Sequence, residues 1–233
     1  MARGTRVDEV VEFLLDAIAS GRFPIGERLP GEESLAKLAD ASRLTLREAV
    51  SALAAQRVLD PVQGRGTFVN DPSQWLSVDA LLRVQRGGLT DTLLHLVEVR
   101  GFLEIGAAER FARVASEAQL SELARQLDRM VEADAAGDYE QVTEADLAFH
   151  RVIIEGSGNP FIAVAMAPLA GALTESRRAT SNVSAMREHA ISEHSKVLSA
   201  VRAHDAAAAR KAMRSHMRQT ADDIRRFFGS AGS

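Results

Sequence analysis

Residues 21–69, GRFPIGERLPGEESLAKLADASRLTLREAVSALAAQRVLDPVQGRGTFV, contain two short helical patterns followed by two β-like runs. The second helical pattern, residues 44–57, repeats apolar residues at the spacing of one helix face. The β-like runs, residues 58–62 and 67–69, are separated by Gln63-Gly64-Arg65-Gly66, which indicates a hairpin. A further amphipathic helix is predicted before this stretch, over residues 7–19. The predicted order is therefore helix, helix, turn, helix and hairpin.

That order predicts a winged helix-turn-helix, whose last helix enters the DNA major groove end-on. Arg43 and Arg47 lie four residues apart at the start of this helix, so one can bind guanine while the other binds phosphate. Taken alone, the two arginines are equally consistent with solvated helix charges. The residues predicted to bind DNA are Ser42, Arg43, Thr45, Arg47, Gln63, Gly64 and Arg65.

The composition excludes several classes of protein. The 233 residues include no cysteine, which rules out disulfide frameworks, thiol nucleophiles and cysteine-based metal sites. No apolar run approaches the roughly 20 residues that span a bilayer, so we expect a cytoplasmic protein. The net charge of −4 does not favour a nucleic-acid partner. Residues 43–69, however, contain four arginines against two acidic residues, which concentrates positive charge on the predicted DNA-binding part.

Residues 21–69 resemble the DNA-binding domain of GntR-superfamily bacterial transcription regulators. Three motifs carry this resemblance: Gly21 and Gly26 with Leu29-Pro30, then S-R-x-x-x-R-E-A from Ser42 to Ala49, then Q-G-x-G-T-F-V from Gln63 to Val69. In the family, an arginine that touches DNA is common at the position of Glu33. An acidic residue there would repel phosphate or accept from a cytosine amine, which leaves the operator sequence open.

The rest of the chain reads as a connector followed by helices, so the predicted fold is mostly α. We assign residues 1–70 to the winged helix-turn-helix, 71–88 to a connector with apolar anchors and 89–229 to an all-helical bundle. Pro168 is predicted to interrupt the fourth helix of that bundle. The six helices are predicted near residues 90–114, 117–136, 138–155, 160–180, 185–203 and 205–228.

Three histidines and one aspartate of the predicted bundle form a candidate metal site. Asp146 and His150 are spaced i, i+4, which puts both side chains on one helix face, and His194 and His216 lie within two later helices. Three imidazoles and a carboxylate suit Zn²⁺, Ni²⁺, Mn²⁺ or Fe²⁺ and leave coordination positions open. The spacing is equally consistent with an exposed Asp–His contact, because no short motif links His194 to His216.

Residues 75–228 resemble the FCD effector-binding domain of the FadR subfamily. The resemblance is carried by E-V-R-x-x-L-E from Glu98 to Glu104, D-x-x-x-H from Asp146 to His150, and later G-N-P, E-H and S-H-M motifs. It implies that Asp146, His150, His194 and His216 bind a divalent ion, with zinc preferred over nickel, manganese or iron. It also implies that Arg100 binds an effector carboxylate, although on an exposed face Arg100 would simply pair with Glu104.

Together these features predict a homodimeric, ligand-responsive regulator of transcription, with a repressor favoured. Its partners would be double-stranded operator DNA and a small organic acid. A short similarity over residues 74–79 favours a sugar acid over lactate, citrate or other dicarboxylates. Two alternatives remain at this point: a metal-dependent enzyme acting on a small acid, and a structural dimerisation bundle. The sequence leaves open the effector, the metal, the direction of the response and the regulated genes.

Overall fold

The computed structural model describes residues 5–84 and 88–229 and divides the chain into two compact units, Met1–Arg86 and Gly87–Ser233. Residues 1–4 of the predicted DNA-binding domain and 85–87 of the predicted connector lie outside the described residues. Within the part of the chain that is described, no helix is long and apolar enough to cross a membrane.

The first unit is a winged helix-turn-helix, as the sequence predicted. It also contains one further helix, in residues that the sequence assigned to the connector. Its elements are α1 (Arg6–Ala19), α2 (Glu32–Leu38), α3 (Arg43–Ala55), β1 (Leu59–Val62), β2 (Gly66–Val69) and α4 (Val78–Val84). The two strands are antiparallel, with Leu59 opposite Val69. Thr5 begins α1 with a capping box, because its hydroxyl accepts from the backbone of Asp8 and the Asp8 carboxylate accepts from the backbone of Thr5.

The stretch after the wing packs on the core of the same unit. Fully buried Leu14, Leu46 and Leu53 bring α1 and α3 together, because each helix turns one apolar face inward. Trp75 belongs to this cluster and donates Nε1–H to the backbone oxygen of Asn70 at 2.9 Å. On α4, Arg83 pairs with Glu12 at 2.5 Å and with Asp16 at 2.6 Å. From Trp75 to Val84, the predicted connector is thus part of the first unit.

The second unit is an all-helical bundle. Its helices are α5 (Gly88–Val114), α6 (Glu117–Ala136), α7 (Tyr139–Gly156), α8 (Pro160–Met166), α9 (Ala170–Ser181), α10 (Ser184–Arg202) and α11 (Ala206–Phe228). Pro168 lies in a single 3-10 turn, Ala167–Leu169, which separates α8 from α9. This break matches the predicted interruption, since proline lacks the N–H that an uninterrupted helix requires.

The core of the bundle lies where α5, α7, α10 and α11 meet. Phe111, Phe149 and Met213 are fully buried there, and each comes from a different helix. Because α7, α10 and α11 all turn one face toward this core, polar residues on those faces become buried beside one another. Three of the predicted metal ligands occupy such positions.

Candidate functional site

The start of α3 presents the predicted DNA-binding residues to solvent. Ser42 is the N-cap, and its Oγ accepts a hydrogen bond from the backbone N–H of Thr45 at 3.0 Å. The side chains of Arg43 and Arg47 are 63% and 69% exposed. These residues can therefore approach a duplex without any rearrangement of the helix.

Both arginines already have acidic partners at the start of α2. Arg43 Nη2 lies 3.2 Å from Glu33 Oε2, and Arg47 Nε lies 2.8 Å from Glu32 Oε1. Glu33, which departs from the family pattern, thus faces the helix predicted to read the bases. DNA would have to compete with these two carboxylates for the arginines.

The wing is a tight turn that exposes Gln63 and Arg65. Gly64 and Gly66 have φ values of 74° and 105°, a region that other residues rarely adopt. A Cβ at Gly66 would also collide with the Arg28 guanidinium. Arg65 Cζ lies 5.7 Å from the centre of the Phe68 ring, so this cation sits over an aromatic face at the hairpin.

Three histidines from three helices converge in the core of the bundle. His150 on α7, His194 on α10 and His216 on α11 are each at most 3% exposed. One ring nitrogen from each lies within 4.8 Å of the others, and Nε2 of His150 is 3.0 Å from Nε2 of His194. The chain segments that separate these residues contain no hint of this convergence, which the packing of the helices creates.

Asp146 lies one turn before His150 and completes the predicted set. Its Oδ1 is 3.5 Å from His194 Nε2 and 3.8 Å from His150 Nε2. Its Oδ2 accepts from Nε of Arg177 on α9. One carboxylate oxygen therefore faces the histidines while the other faces a buried guanidinium.

The histidine nitrogens fit a metal ion. Burial lowers the pKa of His194 and His216 well below the ordinary value, and it also lowers the pKa of His150 against the opposing charge of Glu104. The rings are therefore neutral at pH 7 and keep a free lone pair. Both nitrogens of His216, and Nδ1 of His194, have no hydrogen-bond partner among the described residues. Buried polar atoms without partners are costly, and an ion held among the three rings would bind one of the two unpartnered nitrogens of His216.

Arg100 and Glu104 form a buried ion pair beside His150. Arg100 Nε donates to Glu104 Oε1 at 2.8 Å, and Arg100 Nη2 lies 3.1 Å from His150 Nε2. Although burial alone raises the pKa of Glu104, the charge of Arg100 holds it well below the usual range. His150 Nδ1 lies 2.5 Å from Glu104 Oε2, and this close approach further lowers the pKa of Glu104. Arg100 thus forms the i, i+4 ion pair with Glu104 and also contacts the histidine cluster through His150.

Sequence reasoning missed Arg177, which is 5% exposed. Burial lowers the pKa of Arg177 well below its ordinary value, yet guanidinium groups in proteins stay protonated. The i, i+4 spacing of Leu173 and Arg177 could have indicated that Arg177 is buried, because it places Arg177 on the same helix face as an apolar residue. The neighbouring Arg178 instead faces outward and pairs with Glu140 and Glu175.

Two cavities reach this centre. The polar cavity, with a free volume of about 40 Å³, is named for the charged, hydroxyl and amide side chains of Arg100, Asp146, Arg177, Ser181, His216 and Gln219, and Met130, Val142, Met186 and Ala190 also line it. The apolar cavity, of about 310 Å³, contacts Glu104, His150 and Arg177 but is otherwise walled mainly by aliphatic residues such as Leu147, Ile154 and Leu173. Arg177 lines both cavities.

Comparison with known families matches both units. Residues 95–219 match the FCD domain, and residues 6–69 match the family described as "Bacterial regulatory proteins, gntR family". The first range contains Arg100, Asp146 and all three clustered histidines. The second contains α1 to β2 and every residue predicted to bind DNA.

Similar proteins have the same two-part organisation over most of their length. The HTH-type transcriptional regulator LutR of Bacillus subtilis is 30% identical over 91% of this chain and 97% of its own. The galactonate operon transcriptional repressor of Escherichia coli is 28% identical over 89% of this chain and 91% of its own. A solved GntR structure from Streptococcus agalactiae is 28% identical with a TM-score of 0.53, covering 93% of this chain and 99% of that one. The chain therefore belongs to the gntR family of bacterial regulatory proteins and carries an FCD domain, which makes it a DNA-binding transcription regulator and not an enzyme.

Proposed function

We propose that this regulator binds a small organic acid at a metal centre in its helical domain and that this binding changes its affinity for operator DNA. The observation that carries the proposal is the convergence of His150, His194 and His216 beside two buried arginines. Neutral imidazoles can bind a cation through their lone pairs, and the adjacent guanidinium groups can bind an anion. In a chain that also contains a DNA-binding unit, such a site serves as a sensor.

The proposed metal ligands are Asp146, His150, His194 and His216. The N3O donor set favours zinc, with nickel, manganese and iron as alternatives. When bound, the ion would supply a positive centre that attracts the oxygens of an acid. Glu104 lies against the far nitrogen of His150, as carboxylates commonly do behind histidine ligands.

The proposed effector is an acid whose carboxylate is held by Arg100, and a sugar acid is favoured. The hydroxyl and amide groups of the polar cavity suit a hydroxylated molecule. Similarity to a repressor of a galactonate operon supports the same class. The polar cavity has room for only a few water molecules, so an effector must widen it. Such a widening gives the acid a reason to prefer one conformation, which a ligand response requires.

The proposed DNA contacts are Ser42, Arg43, Thr45 and Arg47 of the α3 start, with Gln63, Gly64 and Arg65 of the wing. Their exposure supports this role, as does the position of α3 after a helix-turn in the winged fold. Since the DNA lies in the bacterial cytoplasm, we place the protein there as well.

We also propose a homodimer, because a regulator of this kind reads two half-sites of a palindrome. Phe102 on α5 and Phe161 and Val164 on α8 are 77%, 78% and 68% exposed, an unusual concentration of apolar surface. Leu103 on α5 and Ile162 on α8, their neighbours in the chain, pack against the same buried cluster. Light scattering should give the mass of a dimer for the wild type and of a monomer for Phe102→Glu combined with Phe161→Glu.

The deciding experiment combines metal analysis with a gel shift on the operator. Purified protein should hold about one divalent ion per chain, and a hydroxy acid should shift the operator affinity. Arg43→Ala or Arg47→Ala should weaken operator binding by about 1–3 kcal/mol. Full effector affinity in metal-free protein would contradict the metal-centred mechanism, and unchanged DNA binding in both variants would contradict the assignment of α3.

A further inference from the structure

Within the described residues, the guanidinium group of Arg177 has a hydrogen-bond partner for Nε but none for Nη1. Its Nε donates to Asp146, whereas its Nη1 is buried. A guanidinium whose end is desolvated and unpaired is costly to maintain. Because Arg177 lines the polar cavity, a bound anion there would supply the missing acceptor.

A second unpartnered atom belongs to Gln219, which also lines the polar cavity, and it requires a donor where Arg177 requires an acceptor. Gln219 donates Nε2–H to Asp223 at 2.5 Å, which identifies its other amide atom as the oxygen. That oxygen, Oε1, is buried without a partner among the residues described. It can only accept, so its partner on a ligand must be a donor such as a hydroxyl.

The buried charges indicate how many negative charges a ligand should bring. Beside the histidines, Arg100 is paired with Glu104 and Arg177 with Asp146, and imidazoles bind a metal ion only in their neutral form. A divalent ion would therefore add two uncompensated positive charges to the core. A monocarboxylate would cancel one of them, whereas a dicarboxylate would cancel both.

We propose that Arg177 is an effector-binding residue and that the effector is a hydroxylated dicarboxylate, with one carboxylate at Arg177 and a hydroxyl donating to Gln219. This inference rests on the proposed function and narrows it, because sugar acids and hydroxy acids with a single carboxylate are also compatible with that function. Arg100 then takes the second carboxylate or shares it with the ion.

The test compares acids that differ only in a terminal group. Galactarate and galactonate form one pair, tartrate and threonate the other, and in each pair a carboxylate replaces a hydroxymethyl group. Calorimetry on the metal-loaded full-length protein should show the diacid binding at least about tenfold more tightly in one pair. Arg177→Gln should remove this preference, and Arg178→Gln, a change to the exposed neighbour, should leave it intact.

Two further variants test the same contacts in case Arg177→Gln folds poorly. Arg177→Lys retains a charge but lacks the forked donor, so it should still lose affinity for the diacid. Gln219→Leu should weaken the binding of tartrate while leaving that of succinate, which has no hydroxyl, unchanged. Metal content measured on each variant separates loss of the ion from loss of the contact.

Equal affinity for the two acids of both pairs would overturn the dicarboxylate assignment while the proposed function stands. Wild-type diacid affinity in Arg177→Gln or Arg177→Lys would overturn the role of Arg177. If none of the acids binds to metal-loaded protein that still binds its operator, the proposed function fails along with this inference.

Discussion

Asp146 directs its two carboxylate oxygens to different partners, which would allow it to bind the proposed cation and an arginine at the same time. Oδ1 faces His194 and His150, and Oδ2 accepts from Arg177. The guanidinium thereby fixes the orientation of the carboxylate before any ion is bound. Fixing a ligand by an outer contact commonly strengthens a metal site.

We expect His194→Ala and His216→Ala to lose most of the bound metal, and Asp146→Ala to lose less. The reason is that zinc and nickel prefer the nitrogen donors, which three histidines provide. The measurement is metal content by mass spectrometry after gel filtration. His95→Ala, a change to an exposed histidine of α5, is the matched control and should retain the ion. Retention of metal by His194→Ala would contradict the assignment of the ligands.

Metal-free protein should lose stability as the pH falls from about 7.5 to 5.5. The pKa values of His150, His194 and His216 are lowered in the folded state, so the unfolded chain takes up more protons in this range than the folded chain does. The stabilisation is therefore complete above the unfolded pKa near 6.5 and is lost below it, by about 1.4 kcal/mol per pH unit for each proton.

Chemical denaturation of chelator-treated protein at several pH values measures this slope. His216→Gln should reduce the slope, whereas His95→Gln should not, since only His216 is buried. A flat stability profile between pH 7.5 and 5.5 would show that the imidazoles are not buried in solution as they are in this structure.

At the scale of elements, two ion pairs connect α2 to α3, and they involve the arginines that are proposed to contact DNA. Glu32 and Glu33 pair with Arg47 and Arg43, although all four side chains are partly or largely exposed. Exposed pairs of this kind contribute little to stability, at most about 1 kcal/mol. Their influence on DNA binding is larger, because carboxylates close to the reading arginines also repel phosphate.

Glu33→Gln should therefore raise affinity for DNA by about two- to tenfold at low salt, and the gain should shrink at high salt as the charges are screened. Fluorescence anisotropy with a labelled operator and with a random duplex measures this. Glu9→Gln removes the same charge from the Arg6 pair on α1 and is the control. A neutral result for Glu33→Gln would mean that its side chain stays clear of the duplex.

The contact between α7 and α5 depends on a glycine. A Cβ at Gly156 would collide with the ring of Phe111, which is fully buried. Gly156→Ala should accordingly lower the free energy of unfolding by about 1–3 kcal/mol despite the better helix propensity of alanine. Gly171→Ala on α9 meets no atom within 4 Å and should be neutral or slightly stabilising. Urea unfolding of both variants makes the comparison, and equal stabilities would contradict the predicted collision.

At the scale of the whole molecule, the DNA-binding unit and the sensing unit each have a core of their own. Leu14, Leu46 and Leu53 belong to one core, and Phe111 and Phe149 to the other. An acid bound in the second unit can change DNA affinity only if it favours one arrangement of the two units over another. Separate cores allow this, because one unit can respond while the other stays folded.

Arg100→Gln should keep operator binding and abolish the response to whichever test acid binds best. The substitution leaves Glu104 buried without its cation, so the pair is better removed together in Arg100→Gln combined with Glu104→Gln. A gel shift with and without the acid is the measurement, and thermal denaturation confirms folding. At about 100 times its dissociation constant, the acid should stabilise the wild type by about 2.7 kcal/mol and the double variant hardly at all. A wild-type response in the double variant would contradict the role of Arg100.

The sequence by itself determined the secondary structure and the relative positions of residues that are close together in the chain. Apolar residues at helical spacing predicted the helices of both units to within a few residues, except α4, which was assigned to the connector, and Pro168 predicted the break between α8 and α9. The order of motifs around Ser42 and Gln63 predicted the winged helix, and the i, i+4 spacing of Asp146 and His150 predicted that these two side chains lie on one helix face. These features depend on near neighbours in the chain, whose relative positions are fixed by backbone geometry alone.

Only the tertiary structure decided which distant residues meet. His150, His194 and His216 lie 44 and then 22 residues apart, and their convergence depends on how three helices are rotated about their axes. The same packing turned Arg177 inward, toward Asp146, and buried the pair of Arg100 and Glu104, for which the sequence alone also allowed a surface contact. No local pattern encodes those rotations, because they result from burying the apolar faces of all the helices at once.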